Sequence, residues 1–128
     1  MTKIFVTLIV TLLVFNADAQ LSNTKWKGTL NINGGMDVSF NFSNDTLDVT
    51  SAESGESLET MKYTITDSVL TLVKLYGQSQ CDTTAGKYKY AIADKEMTIS
   101  VISDDCADRS GAIGTMKLEK EDTAVQKQ

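Results

Sequence analysis

The sequence predicts an all-β domain: eight antiparallel strands in an up-and-down meander, closed into a barrel. Three observations predict it. Apolar and polar residues alternate through most of the chain after residue 24, broken at short intervals by Gly, Asn, Asp and Ser. No stretch there keeps a 3.6-residue apolar period over a helical length. When neighbouring strands are paired through their turns, their apolar residues fall on one shared face.

The first two strands run over 26–32 and 36–42, joined by Asn33-Gly34-Gly35. A three-residue loop pairs Ile32 with Met36, Leu30 with Val38, Gly28 with Phe40 and Trp26 with Phe42. Lys27, Thr29, Asn31, Asp37, Ser39 and Asn41 then point outward. A slip of one residue would invert that arrangement. The loop over 43–46 sets Phe42 against Leu47 and Phe40 against Val49. Asp67-Ser68 joins 61–66 to 69–76, opposing Ile65 to Leu70 and Tyr63 to Leu72. Beyond Leu72 the alternation would turn Lys74 inward, so a bulge or strand end is expected near Val73. Asp94-Lys95 joins 87–93 to 96–103 and opposes Ile92 to Met97, Tyr90 to Ile99 and Tyr88 to Val101. The last strand, over 111–121, alternates through Met116 and Leu118. With no Pro in the chain, Gly, Asn, Asp and Ser make every turn. A flat sheet of eight strands would leave two open edges and an apolar face with no helix to cover it. Closure into a barrel removes both problems. A two-sheet β-sandwich is the alternative.

The ends frame this domain at 20–122. Residues 1–19 read as a cleavable secretory leader: one positive charge at Lys3, an apolar run from Ile4 to Phe15, and small residues at Ala17 and Ala19. The apolar run is too short for a stable membrane anchor, since a bilayer core is roughly 30 Å thick. Cleavage after Ala19 would release the domain to the periplasm or the exterior. The segment 123–128 is polar and reads as a frayed tail. The leader carries Lys3 and Asp18, so the net charge of −5 survives cleavage. An acidic chain without basic clusters is a poor partner for nucleic acid or anionic lipid.

Two cysteines, Cys81 and Cys106, are expected to form a disulfide after export. A two-thiolate metal site is the alternative, but the chain has no His to complete one. The bond would close about 25 residues and contribute roughly 3–4 kcal/mol on the chain-entropy model.

Turns in a meander alternate between two ends. The tight ones at 43–46, 67–68 and 94–95 share one end with Trp26; the longer 77–85 and 104–110 share the other with 33–35 and 53–57. The long loops hold the cysteines and the only Arg, Arg109. They describe the mouth of a cup, and a small ligand is expected beneath them. Val38, Phe40, Tyr63, Leu72, Tyr88, Tyr90, Ile99 and Val101 would line the site, with Arg109 above. The same side chains could instead fill the interior as a core. Three inward tyrosines favour a cavity, because a buried phenol needs a partner that water or a ligand would supply.

Without His, and with both cysteines oxidised, Ser-His-Asp and Cys-His catalysis and nearly all zinc sites are excluded. No cofactor is expected. Asp104, Asp105 and Asp108 are oxygen ligands for Ca²⁺ in principle, at a spacing that matches no known loop. Asn41-Phe42-Ser43 and Asn44-Asp45-Thr46 are glycosylation sequons, with meaning only in a eukaryotic source.

Trp26-Lys27-Gly28-Thr29-Leu30, Gly86-Lys87-Tyr88-Lys89-Tyr90 and 104–109 with Cys81 upstream together resemble the small exported lipocalin-like domains of bacteria. The resemblance spans roughly 24–121 and implies a barrel with an internal or mouth-facing binding site. Two features depart from lipocalins proper. Thr24 stands where they carry Gly before the first-strand Trp, and no Arg near the last strand packs over that Trp, leaving Lys117 or Lys120 as substitutes. The function expected is therefore non-enzymatic binding of a small, mostly apolar ligand. Several periplasmic inhibitors of proteases and lysozymes also look like small disulfide-closed β-barrels. An exported protein-interaction or enzyme-inhibitor module, using the disulfide-linked loops, is thus the alternative. An enzyme ranks below both for want of chemistry.

Overall fold

In the computed structural model, which describes residues 21–121, the alternating segments form eight strands. They are β1 (Thr24–Leu30), β2 (Met36–Phe42), β3 (Thr46–Ser51), β4 (Ser57–Thr66), β5 (Val69–Gly77), β6 (Gly86–Ala93), β7 (Glu96–Ser103) and β8 (Thr115–Lys120). One short helix, α1 (Ala107–Ile113), stands between β7 and β8. Each strand pairs antiparallel with its sequence neighbours, and β8 returns to β1 to close the barrel. The leader at 1–19 and the tail at 123–128 lie outside the described residues.

Side-chain alternation decides the faces, and turn chemistry decides the register. Three of the four hairpin registers are as expected: Phe42 opposes Leu47, Tyr63 opposes Leu72, and Tyr90 opposes Ile99. The Asp67-Ser68 turn has both residues at positive φ, 50° and 65°, which matches strand twist in a two-residue hairpin. The first hairpin differs. Leu30 pairs with Met36, Gly28 with Val38 and Trp26 with Phe40, a slip of two residues from the three-residue loop. Asn31 and Ile32 leave the ladder, and the chain turns through Asn33, Gly34 and Gly35 at φ 49°, 83° and 122°. Because the strand period is two, a slip of two keeps Trp26, Leu30, Val38, Phe40 and Phe42 on the inside.

A bulge does interrupt β5. It lies at Leu75, between the pairs Met61–Lys74 and Thr60–Tyr76, two residues beyond Val73. Lys74 is inward as the alternation requires, and its ammonium reaches the Glu59 carboxylate (3.7 Å) and the Ser79 carbonyl. The charged end is thus partnered at the rim while the stem crosses apolar surface.

All eight strands contribute to one core, including Trp26, Phe40, Leu47, Tyr63, Leu72, Tyr88, Ile99 and Leu118. At the closed end Leu21 is fully buried. Its carbonyl accepts from Thr24 Oγ1, which in turn accepts from Trp26 Nε1 at 2.8 Å. Lys117 is exposed and pairs with Glu96, and Lys120 is exposed as well, so neither covers Trp26.

Candidate functional site

The mouth is roofed by α1, where the sequence suggested loop and then strand from Gly111. Ser110 N donates to the Cys106 carbonyl (3.0 Å), and Gly114, at φ 48°, ends the helix by donating to the Ser110 carbonyl (2.8 Å). The Asn31 amide donates to the Ala112 carbonyl (2.8 Å), fixing the far end of α1 to the first hairpin. Ile113 turns down into the core. Two turns are too short to display a helical period, which is why alternation could be read into them. The disulfide joins Cys106, at the helix N-terminus, to Cys81, with Cα atoms 5.4 Å apart. A second tie runs alongside it, Gln80 N to Asp108 Oδ2 at 2.9 Å.

Under this roof sits a buried ion pair. Arg109 Nε meets Asp104 Oδ2 at 2.6 Å, and Nη2 meets Oδ1 at 2.8 Å. Their side chains are 4% and 0% exposed. Nη2 also donates to the Thr84 carbonyl (2.8 Å), pulling the 78–85 loop onto the helix. Tyr88 Oη and Cys106 N donate to the same carboxylate. Burial acts to raise the Asp104 pKa, but hydrogen bonds from Arg109, Tyr88 and Cys106 outweigh it and hold the group below the usual carboxylate range. Burial, with the adjacent carboxylate, pushes the Tyr88 phenol upward. Arg109 Nη1 is buried and has no hydrogen-bond partner among the described residues.

Gly86 makes room for this cluster. A Cβ there would strike the Asp104 carboxylate and come within 2.9 Å of Arg109 Nε. Gly86→Ala is therefore expected to destabilise the domain by about 1–3 kcal/mol, the range for overpacking, as measured by urea unfolding.

Between α1 and the core lies a cavity of about 530 Å³. Leu30, Ile32, Phe40, Leu58, Met61, Ala112 and Ile113 supply its apolar wall; Arg109, Glu59, Gln78 and Ser79 are among its polar residues. Glu59 accepts from Ser79 N at 3.1 Å and from the Ser79 hydroxyl, so the polar wall is itself cross-linked.

Of the residues expected to bind a ligand, Phe40 and Arg109 line this cavity. Val38, Tyr63, Leu72, Tyr88, Tyr90 and Ile99 instead belong to the packed core beneath it. The phenol argument fails at two of the three tyrosines, because protein groups serve them: Tyr63 Oη donates to the Ser43 carbonyl (2.5 Å) and Tyr88 Oη to Asp104. Val101 departs from the inward pattern and is 40% exposed. The ladder is bulged beside it, between Lys87 and Tyr88, and β8 pairs only as far as Ser100, beyond which Val101 N donates to the Gly114 carbonyl (3.0 Å). Arg109, placed by its loop at an open rim, is buried because Asp104 neutralises it.

Leu58, Ala112 and Ile113 were not legible as site residues, and neither was Asp104 as a buried partner. The one available signal was a lone Arg five residues after an Asp in a cysteine-anchored loop. The aspartates do not converge on a cation: Asp104 faces Arg109, and Asp108 accepts from Gln80. Among the described residues no group of three His, Cys, Asp or Glu side chains is placed to hold a metal ion. Of the sequons, Asn41 is engaged through Nδ2 with the Asp48 carbonyl (3.0 Å) and Thr50 Oγ1 (3.1 Å), while Asn44 is exposed. No family model, curated protein or solved structure matches the chain.

Proposed function

We propose that this is an exported, non-enzymatic binding domain of the bacterial lipocalin-like kind, taking a small, mostly apolar ligand at the barrel mouth. The mouth cavity carries the proposal. Its volume, about 530 Å³, falls within the roughly 300–1,000 Å³ usual for small-molecule sites, and its wall is apolar with a few placed polar groups. With Val38, Tyr63, Leu72, Tyr88, Tyr90 and Ile99 in the packed core, this reading puts the ligand at the mouth between α1 and strands β1–β4. Export is supported by the disulfide and by the leader-like residues 1–19.

The test is binding of a neutral hydrophobic dye such as N-phenyl-1-naphthylamine. The wild type is expected to bind it, and Ala112→Trp, which fills the cavity from its roof, to weaken binding about tenfold or more. Melting temperature checks that the variant is folded. A wild type that binds no apolar probe, or a folded variant that binds as well as wild type, overturns the proposal.

One observation favours the interaction-module alternative. Leu75, Tyr76, Val101 and Ile102 are exposed, at 50%, 65%, 40% and 54%, where β5 and β7 reach the mouth. An apolar rim of this kind suits contact with a protein surface. Tyr76→Lys with Ile102→Lys separates the two readings, since it alters the rim and leaves the cavity wall intact.

A further inference from the structure

We infer that the outer face of β4–β7 is a contact surface for an anionic phospholipid bilayer. Lys62, Lys87 and Lys89 meet its head groups, and Leu75, Tyr76 and Ile102 its interface. This surface is separate from the mouth cavity and does not depend on it. The sequence has no basic run, but strand pairing assembles a basic patch. Lys62 on β4 opposes Val73 on β5; two residues along, Thr71 opposes Lys87 on β6, and Lys89 follows on the same strand. The three lysines are exposed, while Met61, Tyr63, Tyr88 and Tyr90 beside them are buried, so all three stand on the outside of the barrel. Strand geometry sets Lys87 and Lys89 roughly 7 Å apart and Lys62 roughly 12 Å from Lys87.

Charge is partitioned around the barrel. The stretches 60–66, 69–77, 86–93 and 97–103 contain no Asp or Glu, although the chain carries a net charge of −5. None of the three lysines has a carboxylate within ion-pair distance among the described residues. The acids nearest in sequence lie at the ends of the face: Asp67 and Asp94 in turns, Asp105 beyond β7, and Glu96 paired with Lys117. The opposite wall differs, for there Lys25 and Lys27 both reach Glu121, at 3.4 and 3.2 Å. Such a partition turns the lysine face toward a negative surface despite the overall charge.

The apolar side chains select which negative surface. Leu75 and Tyr76 continue β5 past Val73, and Ile102 lies in the bulge between the pairs Lys87–Ser103 and Tyr88–Val101. All three are exposed. Lysines beside exposed Leu, Tyr and Ile suit a bilayer interface, where ammonium groups meet phosphates and apolar side chains reach the acyl boundary. A soluble acidic polymer would engage the lysines and leave Leu75 and Ile102 in water.

Vesicle flotation tests this. The exported chain is used, because the apolar residues of an uncleaved leader would seek lipid themselves. It is expected to float with phosphatidylcholine vesicles containing one-third phosphatidylglycerol and not with phosphatidylcholine alone. Salt at about 0.5 M is expected to release it by screening. Each lysine at such a surface is worth about a fivefold factor in affinity. Lys62→Gln with Lys87→Gln and Lys89→Gln is therefore expected to weaken binding about tenfold or more. Lys25→Gln with Lys27→Gln and Lys120→Gln changes the net charge equally on the other wall and is expected to leave binding nearly unchanged. Melting temperature checks that each variant is folded. Tyr76→Trp reports the rim, its emission shifting to the blue on anionic vesicles. No binding to anionic vesicles, equal binding to neutral ones, equal losses for the two lysine sets, or no blue shift overturns the inference. So does binding to soluble poly-L-glutamate without binding to vesicles, which makes the partner an acidic protein. None of these outcomes bears on dye binding in the mouth cavity.

Discussion

Asp104→Ala is expected to cost the domain about 3–5 kcal/mol, because it strands an arginine that cannot give up its charge. Arg109 would keep a buried guanidinium with only the Thr84 carbonyl to receive it, and Tyr88 Oη and Cys106 N would lose their acceptor in the same step. Domains of this size have about 5–15 kcal/mol in total, so the variant should be marginal or unfolded at 37 °C. The opposite deletion behaves differently with pH. Arg109→Met leaves a carboxylate that can protonate, and the cost of doing so at pH 7 is about 1.4 kcal/mol for each pH unit above its usual value near 4. Its destabilisation should therefore shrink as pH falls from 7 to 5, while that of Asp104→Ala stays flat over the same interval. The wild type follows the linkage sign for a depressed carboxyl. Stability is present above the unfolded Asp value, 3.8, and is lost as pH drops through the lower native value. Removing both partners, as in Asp104→Leu with Arg109→Met, should cost much less than either single change, since no uncompensated charge remains. Urea melts of the four proteins at pH 5 and 7 give all of these comparisons. Equal and pH-independent losses for the two single variants would contradict the buried-pair account.

How much of this was visible in the residues follows from which physical signal each feature rests on. Strand faces rest on a period of two, a signal repeated several times per strand, and it correctly placed Phe40, Tyr63, Tyr90 and Ile99 inside. Hairpin register rests on one turn at a time. Asp67-Ser68 predicts the register observed, whereas Asn33-Gly34-Gly35 predicts a three-residue loop and the chain forms one of five, tied down by tertiary contacts such as Asn31 N to the Ala112 carbonyl that the sequence does not display. The helix α1 has seven residues, fewer than a period needs to declare itself, so its segment was assigned to loop and strand. The site suffered most from this. Its roof is α1, and the partner that buries Arg109 becomes visible only when the helix folds 109 back over 104. The tyrosines misled for a related reason: a phenol's need for a partner is readable from sequence, but the partner's identity is not.

Replacing both cysteines, Cys81→Ser with Cys106→Ser, is expected to lower stability by roughly 3.5 kcal/mol at 25 °C, on the loop-entropy estimate for a 25-residue closure. At about 4–8 °C per kcal/mol for a domain near this size, the melting temperature should fall by about 14–28 °C. The loss should be unevenly distributed. The bond joins the two segments that form the roof and one side of the mouth, α1 and the 78–85 loop, and neither belongs to the barrel ladder. The bonds that remain include Gln80 to Asp108, Arg109 to Asp104 and Thr84, Ser79 to Glu59 and Lys74, Gln78 N to the Leu58 carbonyl, and the Asn31–Ala112 bond. Amide exchange should accordingly accelerate first at Ser110 and Gly114, while Phe40 and Ile99 in the ladder keep their protection until global unfolding. Binding of the neutral dye should weaken at temperatures where the barrel is still folded, because the cavity loses its roof before it loses its floor. If the serine variant retained both the helix protection and the dye affinity of the wild type, the disulfide would serve only the overall stability of an exported chain. If both fail ahead of the barrel, the bond is what keeps the mouth in a binding shape.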